Sequence, residues 1–214
     1  MIEVKLIDVM GNDLTVVNAA RVSFGKKVAT FEGKDEGLIH YLAKHKHMSP
    51  FGHAFASFHV KAPVFVARQL VKHKFLRWNE ISRRYVKSDP EFYVPDYLRG
   101  IADDVKQGSS GVVNPESLWE YNHWTSDMNT HNYDALEYYK HLLDQGVAPE
   151  QARMVLPQST MTEWWWSGSL DAFSDMCNLR CKSDTQYETQ LVAMQIDSVM
   201  NTKFHFSWPA LRNN

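Results

Sequence analysis

The stretch that decides both fold and site runs from Ala62 to Tyr85 and has the sequence APVFVARQLVKHKFLRWNEISRRY. Apolar residues recur in its first half at helical spacing, and Pro63 suits the first position of a helix. The second half begins with the basic cluster of residues 72–74 and continues as a dense run of polar side chains. Such a mixture of apolar anchors and cationic donors favours binding of an anion. Two alternatives remain open: a solvated face and a nucleic-acid-binding patch with interleaved aromatic residues.

The composition narrows the class of protein. The chain has 214 residues, 44% of them hydrophobic, and this length suits one domain with its own core. A formal net charge of −2 argues against binding of nucleic acid through the overall charge. Cys177 and Cys181 form neither a disulfide framework nor a zinc knuckle, and they indicate a reducing compartment. The N-terminal residues lack a signal-peptide pattern, and no apolar run is long enough to span a membrane, so we expect a cytoplasmic protein.

Periodicity predicts both strands and helices along the chain. Strands are expected over residues 3–10, 54–61, 91–95 and 159–167. Helices are expected over residues 13–21 (capped by Asp13), 35–46, 63–71, 115–145 (with a break at 129–132), 148–156, 170–181 and 186–200. Residues 97–114 are rich in Gly, Ser and Asp and predict a surface loop, and the aromatic tail over 204–211 is expected to pack.

Histidines are dense between residues 45 and 59 and invite a metal interpretation. The candidates are His45, His47, His53 and His59. Their spacings match no standard zinc pattern, and neither cysteine nor carboxylate lies among residues 45–59. We therefore predict no metal site.

The opening stretch resembles the signature of flavin-dependent thymidylate synthases. That signature has Arg-His-Arg, seven residues and then Ser, with Asn-Glu-x-Ser-x-Arg-Tyr inside and after it. Here Lys72-His73-Lys74 is followed by seven residues, and residues 79–85 (NEISRRY) match the tail. The two lysines keep the charge of the family's arginines but lose the planar, bidentate fork of a guanidinium.

Other segments resemble motifs of the same family in the same order. They are residues 20–23 (ARVS), 47–53 (HMSPFGH), 150–157 (EQARMVLP), 178–180 (NLR) and 186–190 (QYETQ). The chain departs from the family at four further positions, where Glu, Asn, Arg and His are usual: Gly52, Ser169, Asp171 and Asp184. The departures at Lys72, Lys74, Gly52 and Asp184 leave a non-catalytic family member as one alternative, beside a nucleic-acid-binding module.

The resemblance implies a fold and a reaction. The fold would be α+β, a single domain over residues 1–214 with a mixed or antiparallel sheet flanked by helices, assembled as a homotetramer with shared active sites. The reaction would be reductive methylation of dUMP to dTMP, with methylenetetrahydrofolate as carbon donor and FAD, reduced by NADPH, as hydride source. Partners would be these small molecules, without nucleic acid or membrane.

The resemblance also implies roles for individual residues. Arg180 would be the catalytic residue that stabilises charge on the pyrimidine. Residues implied to bind dUMP are Gln69, Glu80, Ile81, Ser82, Arg83, Arg84, Arg153 and Arg180. Residues implied to bind FAD are Ser23, His47, Ser49, Lys72, His73, Lys74, Phe75, Asp175 and Leu179.

The residue chemistry fits a flavin route better than a thiol route. The flavin-free class of thymidylate synthase needs an activated cysteine. Both cysteines here lie outside the signature, inside an apolar helical pattern that favours buried side chains. Ser82 has no evident general base beside it, so we expect it to donate or accept a hydrogen bond rather than to attack carbon.

Overall fold

The structure is a computed structural model and describes residues 1–86, 88–102, 108–113 and 118–212. Within these residues the strands are β1 (Glu3–Met10), β2 (Phe55–Pro63), β3 (Arg77–Glu80) and β4 (Met161–Ser169). The helices there are α1 (Asp13–Arg21), α2 (Gly33–Lys44), α3 (Val64–Leu70), α4 (Leu118–Asp144), α5 (Pro149–Ala152), α6 (Leu170–Arg180), α7 (Tyr187–Lys203) and α8 (Ser207–Arg212). Short 3₁₀ turns occupy Val22–Phe24, Ser49–His53 and Arg153–Val155.

The four strands form one antiparallel sheet in the order β1-β2-β4-β3. This confirms an α+β fold, and the sheet is antiparallel rather than mixed in the described part of the chain. Strands β2 and β4 pair along their whole length, from Phe55 opposite Ser169 to Pro63 opposite Met161. Because side chains alternate across a strand, this register places one buried face of β2 beside one buried face of β4.

Aromatic side chains fill the core on the buried face of the sheet. Phe173 of α6 packs edge-on against Phe58 of β2 at 5.2 Å and against Trp166 of β4 at 5.5 Å between ring centroids. Trp78 of β3 stacks on Trp164 at 4.4 Å. Large aromatic surfaces contribute strongly to core stability, so these contacts fix α6 and β3 relative to the centre of the sheet.

Two predicted helix starts are corrected by the structure. Asn12, not Asp13, caps α1, because its side chain accepts a hydrogen bond from the Thr15 amide at 3.1 Å. The buried Asp13 carboxylate instead accepts from the Phe206 and Ser207 amides at 3.2 and 2.8 Å, which anchors the C-terminal tail. Pro63 has extended backbone and ends β2, so α3 begins one residue later than predicted.

Two strand predictions also need correction. Residues 91–95 do not form a strand, since only Phe92 makes an isolated bridge to Thr160. Conversely, residues 77–80 in the signature form β3, which the polar sequence RWNE did not indicate. Pairing with β4 supplies the backbone partners that this short segment could not gain from local periodicity.

The long helix is continuous where the sequence predicted a break. Within α4, Asn129 and Thr130 donate side-chain hydrogen bonds to the carbonyls of Thr125 and Ser126, one turn earlier. Their polar groups are therefore satisfied inside the helix. The predicted start at 115–117 lies outside the described residues, as do residues 103–107 and 114 of the predicted loop. In the described part of that loop, Arg99 and Val112 form an isolated bridge.

Candidate active site

A cavity of about 430 Å³ lies between α3, the end of β3 and the segment before β4. Four of the residues predicted to bind dUMP line it: Glu80, Ile81, Arg83 and Arg153. Arg68 of α3 also lines it, and we call this space the arginine cavity after Arg68, Arg83 and Arg153. Residues separated by about eighty positions in sequence thus converge on one space.

Backbone hydrogen bonds hold the walls of the arginine cavity together. The amides of Val64 and Phe65, at the start of α3, donate to the carbonyls of Thr160 and Gln158 at 2.9 and 3.3 Å. The Ile81 amide donates to the Glu163 carbonyl at 2.9 Å and joins the end of β3 to β4. The cavity is therefore bounded by regular elements that restrict its side chains.

The single carboxylate among the lining residues is already occupied. Glu80 accepts a hydrogen bond from Thr162 Oγ1 at 2.7 Å on one oxygen and from Trp78 Nε1 at 3.1 Å on the other. In the described part of the chain, no ion pair joins a carboxylate to any of the three arginines. Among the described residues, Arg83 and Arg153 donate to the neutral carbonyls of Ser88 and Glu150, at 2.7 and 3.3 Å. The cavity consequently keeps a positive charge suited to an anion.

Three predicted substrate residues lie close in sequence but do not line this cavity. Ser82 begins a turn in which its carbonyl accepts from the Tyr85 amide, and its hydroxyl accepts from the Arg84 amide at 3.3 Å. The exposed Arg84 guanidinium donates to the Tyr85 hydroxyl at 2.6 Å. Gln69 carries a buried side-chain oxygen that has no hydrogen-bond partner among the described residues. Such an acceptor indicates a place where a further donor is expected.

The predicted catalytic residue contacts the signature directly. Arg180 Nε, at the end of α6, donates to His73 Nε2 at 2.9 Å across 107 positions of sequence. Burial, followed by the charge of Arg180, lowers the pKa of His73 to about 4. Burial also lowers the pKa of Arg180, but an arginine in a protein stays protonated. The two motifs are thus joined by a charged donor and a neutral imidazole.

A second cavity, of about 370 Å³, is lined by residues of α6 and by Phe75, and it is named here the Phe75 cavity. Of the predicted flavin residues, Phe75 and Asp175 line it, and its further lining residues Lys46 and Met48 flank His47 in the chain. The Phe75 side chain is 84% exposed, and its backbone has a left-handed φ of 65°. Burial, with the charge of Asp171 as a smaller cause, raises the pKa of Asp175.

Two departures from the family motifs meet beside the Phe75 cavity. A Cβ atom at Gly52 would lie 4.0 Å from Asp171 Oδ1, which is buried and has no hydrogen-bond partner in the part of the chain that the structure describes. A glutamate at position 52, as the family usually has, would therefore place a second carboxylate next to Asp171. Gly52 and Asp171 are thus compatible with each other, and Asp171 Oδ1 remains available as a hydrogen-bond acceptor at this cavity.

The remaining predicted flavin residues are spread over the surface. Lys72 and Lys74 are exposed on the turn after α3, and Leu179 is 44% exposed on α6. His47 and Ser49 are exposed near the Ser49–His53 turn. Ser23 is exposed between Val22 and Phe24 and lines neither cavity. A single chain therefore brings together only some of the residues predicted to bind FAD.

Sequence reasoning missed Arg68. It lies four residues after Val64 on α3, and both residues line the arginine cavity while Val66, Ala67 and Leu70 are buried. The available signal was a single cation in an otherwise apolar helical turn, on the face opposite the core. Neither cysteine lines the arginine cavity, and Cys177 is buried.

The larger cavity elsewhere, of about 470 Å³, contains none of the predicted site residues. Tyr93, Tyr97, Arg99 and Tyr187 line it, and we call it the tyrosine cavity. Arg99 pairs with both carboxylate oxygens of Glu188 at 2.6 and 2.7 Å, and its guanidinium lies 4.4 Å from the centre of the Tyr187 ring. This arginine is already neutralised.

The described residues contain neither a cluster that could hold a metal ion nor a helix that could cross a membrane. No group of three or more His, Cys, Asp or Glu side chains there is arranged to hold a metal ion. Among the described helices, none is both long enough and apolar enough to cross a membrane.

Comparison with known proteins places this chain in a family. A family model described as "Thymidylate synthase complementing protein" matches residues 5–204. The flavin-dependent thymidylate synthase of Thermosipho africanus is 40% identical over 206 residues, which cover 96% of this chain and 89% of that protein. The enzyme of the same name from Thermus thermophilus is 37% identical, over 99% of this chain and 76% of its own length.

The structure of a nucleotide methylase is also similar to this chain. The UMP/dUMP methylase PolB from Streptomyces cacaoi, bound with 5-Br dUMP, superposes with a TM-score of 0.87 at 33% identity, over 98% of this chain and 94% of that one. The chain therefore belongs to the family of flavin-dependent thymidylate synthases. This confirms the resemblance that its motifs indicated.

Proposed function

We propose that this chain converts dUMP to dTMP by reductive methylation, as a flavin-dependent thymidylate synthase. The observation that carries the proposal is the arginine cavity, where three guanidiniums converge and none forms an ion pair with a carboxylate among the described residues. The family fold, the relatives named thymidylate synthases and the similarity to a dUMP methylase support this reaction.

The arginine cavity would bind the phosphate of the nucleotide. A phosphate monoester carries close to two negative charges at neutral pH. Planar guanidinium forks bind such a group through paired, charge-assisted hydrogen bonds. We assign Arg83 and Arg153 to this role together with Arg68, and we assign Glu80 and Ile81 to the wall that orients the rest of the nucleotide. Ser82, Arg84 and Gln69 would complete the binding site.

Arg180 would act at the pyrimidine. A fixed cation in a partly buried site stabilises negative charge that develops on the ring more effectively than a solvated one. Arg180 is half-buried, and its described partner is a neutral imidazole rather than a carboxylate. The full positive charge therefore remains available to the substrate.

The residues around the Phe75 cavity fit a flavin. Phe75 offers an aromatic surface, Lys46 and the neighbouring Lys72 and Lys74 offer positive charge, and the open Asp171 oxygen accepts a donor such as a flavin hydroxyl or N–H group. We propose that these groups hold FAD, with His73, Asp175, Leu179, His47 and Ser49. The flavin, when bound and reduced by NADPH, supplies the hydride. Methylenetetrahydrofolate supplies the carbon.

We further propose a homotetramer with shared active sites. The supporting observation is that large apolar side chains are exposed beside the predicted site residues. They include Phe24 at 78%, Phe75 at 84%, Tyr85 at 73% and Met154 at 75%. Contacts between subunits would cover such side chains and bring the distant Ser23 to a flavin. That residues 1–214 form one domain, and that the protein is cytoplasmic, stay predictions.

The visible absorbance spectrum of the purified protein, before and after addition of FAD, tests the flavin site first. We expect a bound flavin whose spectrum changes when dUMP is added. A dTMP-formation assay with methylenetetrahydrofolate and NADPH then tests the reaction, with UMP as a matched alternative substrate. Binding of flavin without dTMP formation would favour the non-catalytic alternative. Absence of flavin binding together with salt-dependent DNA binding would favour the nucleic-acid alternative.

A further inference from the structure

The contact between Arg180 and His73 determines which nitrogen of the imidazole carries its proton. A guanidinium has five donors and no acceptor, so the nitrogen that faces it must accept. Arg180 Nε donates to His73 Nε2 at 2.9 Å. His73 is therefore neutral in this contact, with its proton on Nδ1.

We propose that His73 is a positioning residue, which fixes the Arg180 guanidinium through its Nε2 lone pair and leaves Nδ1–H as its only donor for a ligand. A carboxylate in the same position would also hold Arg180 but would cancel its charge. A neutral imidazole holds the guanidinium and leaves its charge in place. In the described part of the chain, no ion pair joins Arg180 to a carboxylate.

The backbone around His73 is held in a way that suits a positioning role. The His73 amide donates to the Leu70 carbonyl at 3.1 Å, so the residue follows directly on the last turn of α3. Leu76 then packs against β4 at Gly168, where an added Cβ would lie only 2.3 Å from Leu76 Cδ2. The turn that carries His73 is thus fixed at one end by a helix and at the other by the sheet.

The electrostatic environment agrees with this geometry. Burial and the adjacent Arg180 charge hold the pKa of His73 near 4, well below that of an ordinary histidine. The imidazole is neutral at neutral pH, as the contact with Arg180 requires. The Nδ1–H group is then a donor, and any ligand atom that hydrogen-bonds to Nδ1 must be an acceptor.

A direct test is the tautomer of His73 in the protein without flavin or nucleotide. Two-bond proton–nitrogen correlation spectra of protein labelled with ¹⁵N-histidine distinguish a protonated ring nitrogen from an accepting one. His59 is an internal control of opposite geometry, because its Nε2 lies 3.1 Å from Glu163 Oε2 and must donate to that carboxylate. The His73→Gln and His59→Gln variants assign the two signals.

We expect His73 to carry its proton on Nδ1 and His59 to carry a proton on Nε2. The His73 Nε2 signal is expected to shift in the Arg180→Gln variant, while the His59 signal stays in place. A proton on His73 Nε2, or a His73 spectrum that Arg180→Gln leaves unchanged, would overturn the proposal. None of these outcomes depends on whether the protein makes dTMP.

A second, kinetic test rests on the proposed function. It asks whether His73 positions the Arg180 guanidinium for catalysis. Glutamine can present its side-chain oxygen as an acceptor near the place of Nε2, whereas leucine cannot. His73 is also assigned to the FAD site, so the assay is made with saturating FAD and with flavin binding verified by its absorbance spectrum. Under these conditions we expect His73→Leu to lower kcat about 100-fold, with a KM for dUMP that changes less than about threefold, since a small displacement of a catalytic group has an effect of this size. His73→Gln should recover at least about tenfold of that loss.

The kinetic test separates the inference from the proposed function. Equal kcat values for His73→Leu and the wild type, with both proteins folded by circular dichroism, would overturn the positioning role. If the wild type itself forms no dTMP, the proposed function fails, while the tautomer measurement still decides the inference.

Discussion

In the tyrosine cavity, Arg99 forms an ion pair with the buried carboxylate of Glu188, whereas in the arginine cavity none of the three guanidiniums forms an ion pair among the described residues. The two spaces are similar in volume, about 470 and 430 Å³. Arg99 is neutralised by Glu188 and contributes to the stability of the fold. The arginines without an ion pair are available to bind an anion. We therefore predict that charge compensation, rather than size, distinguishes the proposed binding site from a structural cavity.

The largest effect on catalysis is expected at Arg180, whose guanidinium donates to the neutral imidazole of His73. Arg180→Ala should lower kcat at least about 1,000-fold, since loss of a group that stabilises transition-state charge commonly costs about 100- to 1,000-fold or more. Flavin should stay bound, as its absorbance spectrum would report. Turnover of the variant at the wild-type rate would remove Arg180 from the catalytic role.

The next largest effect is expected on stability, at Arg99 in the tyrosine cavity. Arg99→Ala leaves the Glu188 carboxylate, which is 5% exposed, without its partner. We expect the free energy of unfolding to fall by about 3 kcal/mol, because breaking one half of a buried ion pair strands a charge. Urea denaturation measures this, and kcat/KM of the folded variant should remain within about twofold. A catalytic loss without a loss of stability would show that the two cavities do not differ in this way.

A smaller effect is expected for the arginine cavity itself. Arg153→Ala and Arg68→Ala should each raise the KM for dUMP about 10- to 100-fold, because a hydrogen bond to a charged group contributes about 1.5–3 kcal/mol. Arg153→Lys should recover part of the loss, since lysine keeps the charge but not the fork.

The matched ligand for this prediction is deoxyuridine, which lacks the phosphate. Its binding, measured by competition, should be equally weak for the wild type and both alanine variants. A loss of deoxyuridine affinity as large as the loss for dUMP would mean that Arg68 and Arg153 do not act on the phosphate.

The smallest effect is expected at Ser82. Its hydroxyl accepts one hydrogen bond from the Arg84 amide, and it is not a predicted nucleophile. Ser82→Ala should therefore retain activity within about tenfold of the wild type, as loss of a neutral hydrogen bond costs about 0.5–1.5 kcal/mol. A variant that binds dUMP normally but forms no dTMP would show that the hydroxyl takes part in the chemistry.

Much of the fold could be predicted because it follows from local patterns. The alternation of Ala54, Ala56, Phe58 and Val60 predicted β2, and these four side chains are fully buried in the structure. Helices α1, α6 and α7 likewise follow apolar spacing within one or two residues of their predicted positions, apart from the later end of α7. Strand β3 could not be found this way, because a four-residue strand is defined by its partner rather than by its own period.

The sequence by itself determined the family and the types of residue at the site, because motifs such as 72–85 and 178–180 preserve residue order and spacing. It could not assign Arg68 to the arginine cavity, pair Arg99 with Glu188, or bring His73 to Arg180 across 107 positions. These contacts depend on sheet register and helix packing, which join segments distant along the chain. Which arginines keep an uncompensated charge was therefore decided only by the tertiary structure, since compensation depends on neighbours in space.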